Sequence, residues 1–113
     1  MATEEDVRRI ALSLPATTEK PSSGTAGFRV KDKLFARMRE DDALVVFCAD
    51  LGEKDALLAS EPDVLYTTPH YDGHAGVLVR LDVVEGDELS ELITDAWRVR
   101  APAKLVATFD AGV

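Results

Sequence analysis

His70-Tyr71-Asp72-Gly73-His74 is the most chemically suggestive stretch of the chain. It sets two imidazoles, a carboxylate and a phenol within five residues. Imidazole and carboxylate groups bind metals and carry protons near neutral pH, so the residue types suit a metal or an acid–base site. A metal site needs three or four converging ligands, however. Pro69 and Gly73 argue for a turn instead of a helical i, i+4 histidine pair, and no cysteine lies nearby in sequence. The plainer reading is a loop in which Asp72 and Gly73 make the turn and the rings hydrogen-bond locally. Loops nonetheless carry function. His70, Tyr71 and Asp72, with Arg80 a few residues on, are therefore the candidate ligand-binding edge, and Tyr71 has the flat ring to stack on a base or an aromatic ligand.

The second constellation is one of charge. The chain has 113 residues, with 13 Lys and Arg against 21 Asp and Glu, a formal charge of −8. That acidity excludes a protein whose whole surface coats nucleic acid or an anionic membrane. The average hides a local excess. From Lys20 to Arg39 there are six cations (Lys20, Arg29, Lys31, Lys33, Arg37, Arg39) against one acid, Asp32. This segment carries +5 and the remainder −13. Arg29, Lys31, Lys33, Arg37 and Arg39 are all odd-numbered, so a pair of strands in unbroken register would show them on one face. Phe35 has the same parity. The functional reading is a cationic β-ribbon contacting DNA phosphates, in a groove, with Phe35 as an apolar contact. The plainer reading is the solvated outer face of a hairpin, with Phe35 packed beneath a helix or loop. Binding by so few cations would be salt-dependent and mostly indifferent to sequence, and strong binding requires the acids to lie on the far side.

Other residue types point away from catalysis. Cys48, the only cysteine, sits in the apolar run from Ala43 to Ala49 and reads as a buried, inert thiol. Ser13, Ser22, Ser23 and Ser60 have no Ser/His/Asp context, and neither a nucleophile elbow nor a phosphate-binding loop is present. Trp97 lies on an apolar helical stripe and reads as core. Glu4-Glu5-Asp6 could hold cations but is well explained as helix N-terminal charge. No catalytic residue, cofactor or resident metal is expected. No apolar stretch reaches the ~18 residues of a membrane span, and the acidic N-terminus is unlike a secretory leader. A cytoplasmic protein, without membrane contact and monomeric, is the economical expectation.

These residues must be positioned by a single domain, residues 1–113. Thr3 to Leu14 has the apolar period of a helix, capped by Thr3 and stopped by Pro15. Ala16 to Gly27, rich in Thr, Ser, Gly and Pro, reads as a loop. Phe28–Val30 and Lys33–Arg39 read as strands about a turn at Lys31-Asp32. A second turn at Glu40-Asp41-Asp42 leads to a third strand, Ala43–Ala49. Asp50 caps a short helix that Pro62 ends. Val64–Thr67 and Gly76–Asp82 are further strands, Glu88–Arg100 is the longest helix, and Pro102 opens a last helix over Ala103–Phe109. Residues 1–2 and 110–113 are expected to fray. The order is not a parallel βαβ alternation. It predicts an α+β fold, an antiparallel β-sheet with helices packed on one face.

Several segments resemble the MmcQ/YjbR family of small bacterial proteins. They are IALSLP (Ile10 to Pro15), GFRV (Gly27 to Val30), KLFA (Lys33 to Ala36), LLASEP (Leu57 to Pro62), TPHYDG (Thr68 to Gly73), VLVRLD (Val77 to Asp82), and DAWR (Asp95 to Arg98) followed by Ala101-Pro102. They recur in order across almost the whole chain, from Val7 to Leu105. The resemblance implies a CyaY-like α+β architecture, also described as a double-wing fold, and DNA binding. It transfers no catalytic motif. Likeness to the acidic first helix of frataxin-like proteins is fold analogy only. Two functions follow as expectations. One is DNA binding, without catalysis, through Arg29, Lys31, Lys33, Phe35, Arg37 and Arg39. The other is a small-molecule or protein-partner module built on the His70–Gly73 loop, which a concave pocket lined by Phe35, Tyr66, Tyr71 and Arg80 would favour.

Overall fold

Thr3 starts the first helix by a reciprocal exchange of hydrogen bonds. Its Oγ1 accepts from the Asp6 amide at 3.3 Å, and the Asp6 carboxylate accepts from the Thr3 amide at 2.9 Å. The helix, α1, runs over Glu4–Leu12 and buries Val7, Ile10 and Ala11. The computed structural model describes residues 2–22, 24–39, 41 and 43–112. After α1 come β1 (Thr17–Ser22), β2 (Thr25–Val30), β3 (Lys33–Met38), β4 (Leu44–Phe47), α2 (Leu51–Ser60), β5 (Leu65–Tyr66), β6 (Gly76–Val79), α3 (Gly86–Arg100) and α4 (Ala103–Asp110). The strands form one six-stranded sheet in the order β1-β2-β3-β4-β6-β5, and every pairing is antiparallel.

The α+β architecture is as expected, but the sheet has one strand more than the pattern predicts. The segment read as a loop, Ala16 to Gly27, contains β1 and the start of β2. β1 is an outer strand with four of its six residues exposed, so burial left no apolar signature in it. Thr17 and Thr18 favour extended backbone, and Pro21, which has no N–H to give a ladder, is tolerated in an outer strand. Gly27 permits the close approach that follows. A Cβ there would sit 2.9 Å from the Ser22 Cβ and 3.0 Å from the Lys20 carbonyl oxygen.

Both chain ends make contacts with the fold. The Ala2 amide donates to the Leu81 carbonyl at 2.7 Å, and Asp110 closes α4 while accepting from Arg98 at 2.7 Å. Met1 and Val113 lie outside the described residues, as do Ser23 and two members of the Glu40-Asp41-Asp42 turn, Glu40 and Asp42.

The two sheet faces have different cover. Phe28, Val30, Ala36, Met38, Leu44, Val46, Val77 and Val79 join one apolar cluster with α1 and α3, and α2 and α4 add Leu57, Leu58, Leu105, Val106 and Phe109 to it. Trp97 is its largest member. Its ring lies 5.0 Å from that of Phe109, and its Nε1 donates to the Pro15 carbonyl at 3.0 Å. On the opposite face, among the described residues, the buried apolar side chains form a cluster of three, Ala43, Val45 and Leu78, beneath Phe47, Tyr66 and Tyr71. Among the described residues no helix contributes an apolar side chain there.

A β-bulge decides which residues of the basic hairpin share a face. Phe28 lies opposite Ala36, yet Arg29 lies opposite Leu34, so Phe35 is an extra residue in β3. The turn itself is tight, with Lys31 and Asp32 both at positive φ (49° and 68°), as a two-residue type I′ hairpin requires. Across the bulge the parity of β3 changes. Phe35 and Ala36 both turn to the helices and are fully buried. The expectation of Phe35 as an exposed contact for nucleic acid is therefore wrong. Phe35→Ala should cost about 3–5 kcal/mol, the usual range for emptying a filled aromatic site. Urea unfolding measures it, and a loss below about 1 kcal/mol would contradict a core position.

Candidate functional site

The register assembles the open face strand by strand. Lys20 lies opposite Gly27, Gly27 opposite Arg37, Arg37 opposite Val45, Val45 opposite Leu78, and Leu78 opposite Tyr66. One row of residues thus crosses all six strands on the face without helices. Alternation adds Arg29, beside Gly27 in β2, and Arg80, two residues beyond Leu78. Arg39 joins them through its amide, which donates to the carbonyl of buried Ala43 at 2.8 Å.

Of the six residues expected to form a basic ribbon, the structure brings three, Arg29, Arg37 and Arg39, onto this face. Lys31 is exposed in the hairpin turn. Lys33 lies opposite Val30, across the bulge, and so belongs by register to the helix side, exposed at the hairpin end. Phe35 is core. Sequence parity fails here for one reason, the unpaired residue in β3. Lys20, which the ribbon omitted, is on the open face because β1 exists.

The charges are segregated. The strands hold one acid, Glu19, and it points to the helix side, where it accepts from the Arg8 guanidinium of α1 at 2.7 Å. That bond holds the Glu19 carboxyl below the usual carboxylate range. Glu4 and Glu5 also pair with Arg8, and Asp6 is held low by the Thr3 amide and then by Arg9. Asp87, Glu88, Glu91 and Asp95 lie on α3. Burial and then repulsion from Glu61 raise the Glu88 carboxyl. On the open face Lys20 has Asp32 at 3.5 Å and Arg39 has Asp41 at 3.6 Å. Among the described residues no carboxylate lies within ion-pair distance of Arg29, Arg37 or Arg80.

The His70–His74 segment is a folded loop that covers part of this face. The Tyr71 amide donates to the Thr68 carbonyl at 2.8 Å, the His74 amide to the Tyr71 carbonyl at 2.9 Å, and Thr67 Oγ1 to Asp72 Oδ1 at 3.2 Å. Asp72 is thus a loop fastener. His70 and His74 are exposed, with ring centres 6.1 Å apart, and the Tyr71 ring lies edge-on to both. Tyr71 is half-buried against Val45 and Leu78. Arg37 Nη1 donates to its hydroxyl at 3.3 Å, and the Arg39 guanidinium carbon is 5.8 Å from its ring centre. The two candidate constellations are therefore one surface, which residue spacing alone did not show.

The residue that sequence reasoning missed is Lys54. It is only 2 % exposed, and its ammonium donates to the carbonyls of Tyr71 and His74, the latter at 2.9 Å. A lysine amid the charges of a short helix gives no hint of this. Its position one turn beyond the Asp50 cap, under a loop distant in sequence, becomes visible only in three dimensions.

Arg80 is exposed, and its guanidinium carbon lies 4.3 Å from the centre of the Tyr66 ring. Both residues line a cavity of about 540 Å³ that runs between the start of α1 and the ends of β3, β4 and β6. Phe35 and Tyr71 do not line it, so it has only two of the four residues whose joint pocket would favour the partner-module reading. Among the described residues no group of three His, Cys, Asp or Glu side chains is placed to hold a metal ion. No helix of the described residues is long and apolar enough to cross a membrane.

With this geometry established, comparison with known proteins defines the class. The YjbR family model matches residues 12–99, and the chain belongs to that family. Two uncharacterized mycobacterial proteins, Rv2570 of Mycobacterium tuberculosis and Mb2600 of Mycobacterium bovis, are each 42 % identical to it over 127 aligned positions, covering 96 % of both chains. The crystal structure of Deinococcus radiodurans protein DR2400, with family-model domain DUF419, superposes with a TM-score of 0.70 at 25 % identity. That match covers 86 % of this chain and 77 % of the other.

Lys54→Met should leave the loop carbonyls of Tyr71 and His74 without their donor, at a cost of about 1–3 kcal/mol. Faster amide hydrogen exchange confined to residues 67–76 is the expected result, and unchanged exchange there would remove Lys54 from this role. Burial pushes the Cys48 thiol up to about 11, and the residue is 3 % exposed. The native protein should therefore resist iodoacetamide at pH 8 and react fully in denaturant. Because the folded value is the higher one, the thiol adds stability below the unfolded pKa of about 8.5, and this is lost as pH rises through about 11.

Proposed function

We propose that this is a non-catalytic, cytoplasmic nucleic-acid-binding protein that acts as a monomer and docks through its open sheet face. The observation that carries this reading is the segregation of charge. Lys20, Arg29, Arg37, Arg39 and Arg80 share a face whose strands contribute no acid, while α3 and all of α1 except Glu4, which reaches the rim of the cavity beside Arg80, hold their carboxylates on the other side. A molecule of charge −8 can then approach a polyanion in one orientation only. A few phosphate contacts give modest affinity with strong salt dependence.

The docking mode differs from a ribbon laid in a groove. β2 and β3 are inner strands, flanked by β1 and β4. Six strands at about 4.8 Å spacing set the outer pair about 24 Å apart, twice the ~12 Å width of the major groove. The sheet can lie on a polynucleotide but cannot enter a duplex as a narrow ribbon.

Fluorescence polarisation with labelled DNA across a salt series tests the reading. Binding at low salt should weaken steeply on salt addition. Reversing Arg37 and Arg39 together (R37E/R39E) should lower affinity at least tenfold and flatten the slope of log K against log salt by about 2, whereas Lys104→Glu, on α4, should change neither much. Absence of binding to single- and double-stranded DNA at low salt would end this proposal.

The cavity of about 540 Å³ beside Tyr66 and Arg80 favours a second reading, a module for a small molecule or protein partner. Its apolar floor includes Met38, Ala43 and Val79, and Glu4, Asp41 and Asp82 stand at its rim. A thermal-shift screen that finds a stabilising ligand, lost on Ala43→Leu, would support it.

A further inference from the structure

The open face is divided within itself. Its cations at β1, β2 and β3 are Lys20, Arg29, Arg37 and Arg39. Of its rings, Tyr71 in the loop lies against Arg37 and Arg39, and Phe47 in β4 and Tyr66 in β5 lie beyond them. A duplex presents phosphates to any surface it lies on and keeps its bases stacked inside. Against a duplex the cations, Arg80 included, would meet phosphates, and the stacked pair of Arg80 and Tyr66 would find no base face to lie against. A single strand has phosphates along one side and base faces free on the other, which matches the division.

From this we infer that the face takes single-stranded nucleic acid, with phosphates along β1–β3 and a base resting on the Arg80 guanidinium where Tyr66 backs it. The inference rests on the nucleic-acid reading above and narrows it. Guanidinium planes and aromatic rings both serve as platforms for unstacked bases. Arg80 suits this because it is exposed, its guanidinium carbon is 4.3 Å from the Tyr66 ring centre, and among the described residues no carboxylate holds it elsewhere. The Tyr66 ring itself is half-buried over Leu78, so the planar group offered outward is the guanidinium. The exposed His70 and His74 rings widen the platform on the loop side, over Tyr71.

Arg80→Lys separates stacking from charge. Lysine keeps the positive charge but has no flat face. Labelled single strands of about 12 nucleotides, inside the ~4–16 range of sheet-type single-strand binders, are titrated beside the matching duplex across a salt series, and the two are compared at its lowest salt concentration. The single strand should bind at least tenfold more tightly. Arg80→Lys should weaken single-strand binding about 5- to 50-fold with the salt slope unchanged, consistent with the loss of about one stacked base. Tyr66→Leu, which keeps apolar cover over Leu78, should act in the same direction, and a circular dichroism melt of each variant confirms folding. Equal or tighter binding of the duplex overturns this inference and leaves the broader reading standing. So does full single-strand affinity in folded Arg80→Lys when R37E/R39E is impaired. Failure of both nucleic acids to bind overturns the broader reading and this one together.

Discussion

Covering only one face of a six-stranded sheet is the constraint from which the rest of this molecule follows. All four helices send their apolar residues to the same side. The other side must then meet water without exposing a broad apolar patch. It does so with three buried residues, three rings above them, and a guanidinium over each ring. Arg80 lies over Tyr66, Arg39 over Tyr71 and Arg100 over Phe47, at 4.3, 5.8 and 5.1 Å. Contacts of this kind contribute about 0.5–1 kcal/mol each when exposed. Their larger effect is to let long side chains cover apolar surface with their stems while the charge stays wet.

The same constraint explains how an acidic protein acquires a cationic face. Helices that cover a core have an outer surface with no packing duty, and here α1 and α3 fill it with carboxylates, several of them placed to complement the helix dipoles. The strands of an uncovered face need polar residues that also tolerate extended backbone beside aromatic neighbours. Arginine meets both needs. Charge separation is thus a by-product of one-sided cover before it is a functional device.

Much of this architecture was legible in the residues because local rules and burial agreed. Thr3 with Asp6, Asp50 with Glu53, Pro15, Pro62 and Pro102 mark helix ends correctly, and the apolar stripe of α3 identifies Trp97 as core. What was not legible has physical causes. β1 carries no burial pattern because it is an outer strand. The bulge at Phe35 comes from pairing, which no alternation rule inside one strand reveals, and it redirects Lys33 and Phe35 while leaving Arg37 and Arg39 where parity had them. Lys54 gives no local sign because its partners are 17 and 20 residues away in the chain. The meeting of the histidine loop with the arginines of β3, 34 residues apart at Arg37 and Tyr71, is of the same kind.

The two rims of the sheet carry a consequence of their own. A free strand edge is a row of unsatisfied donors and acceptors that invites another chain to add on, the first step toward fibrous aggregates. One rim here is β1, with a proline inside it and Glu19 and Lys20 beside that proline. The other is β5, two residues long. Neither offers a foreign strand a long, uncharged run of hydrogen-bonding groups, and so a sheet left bare on one side is guarded at its borders against growing.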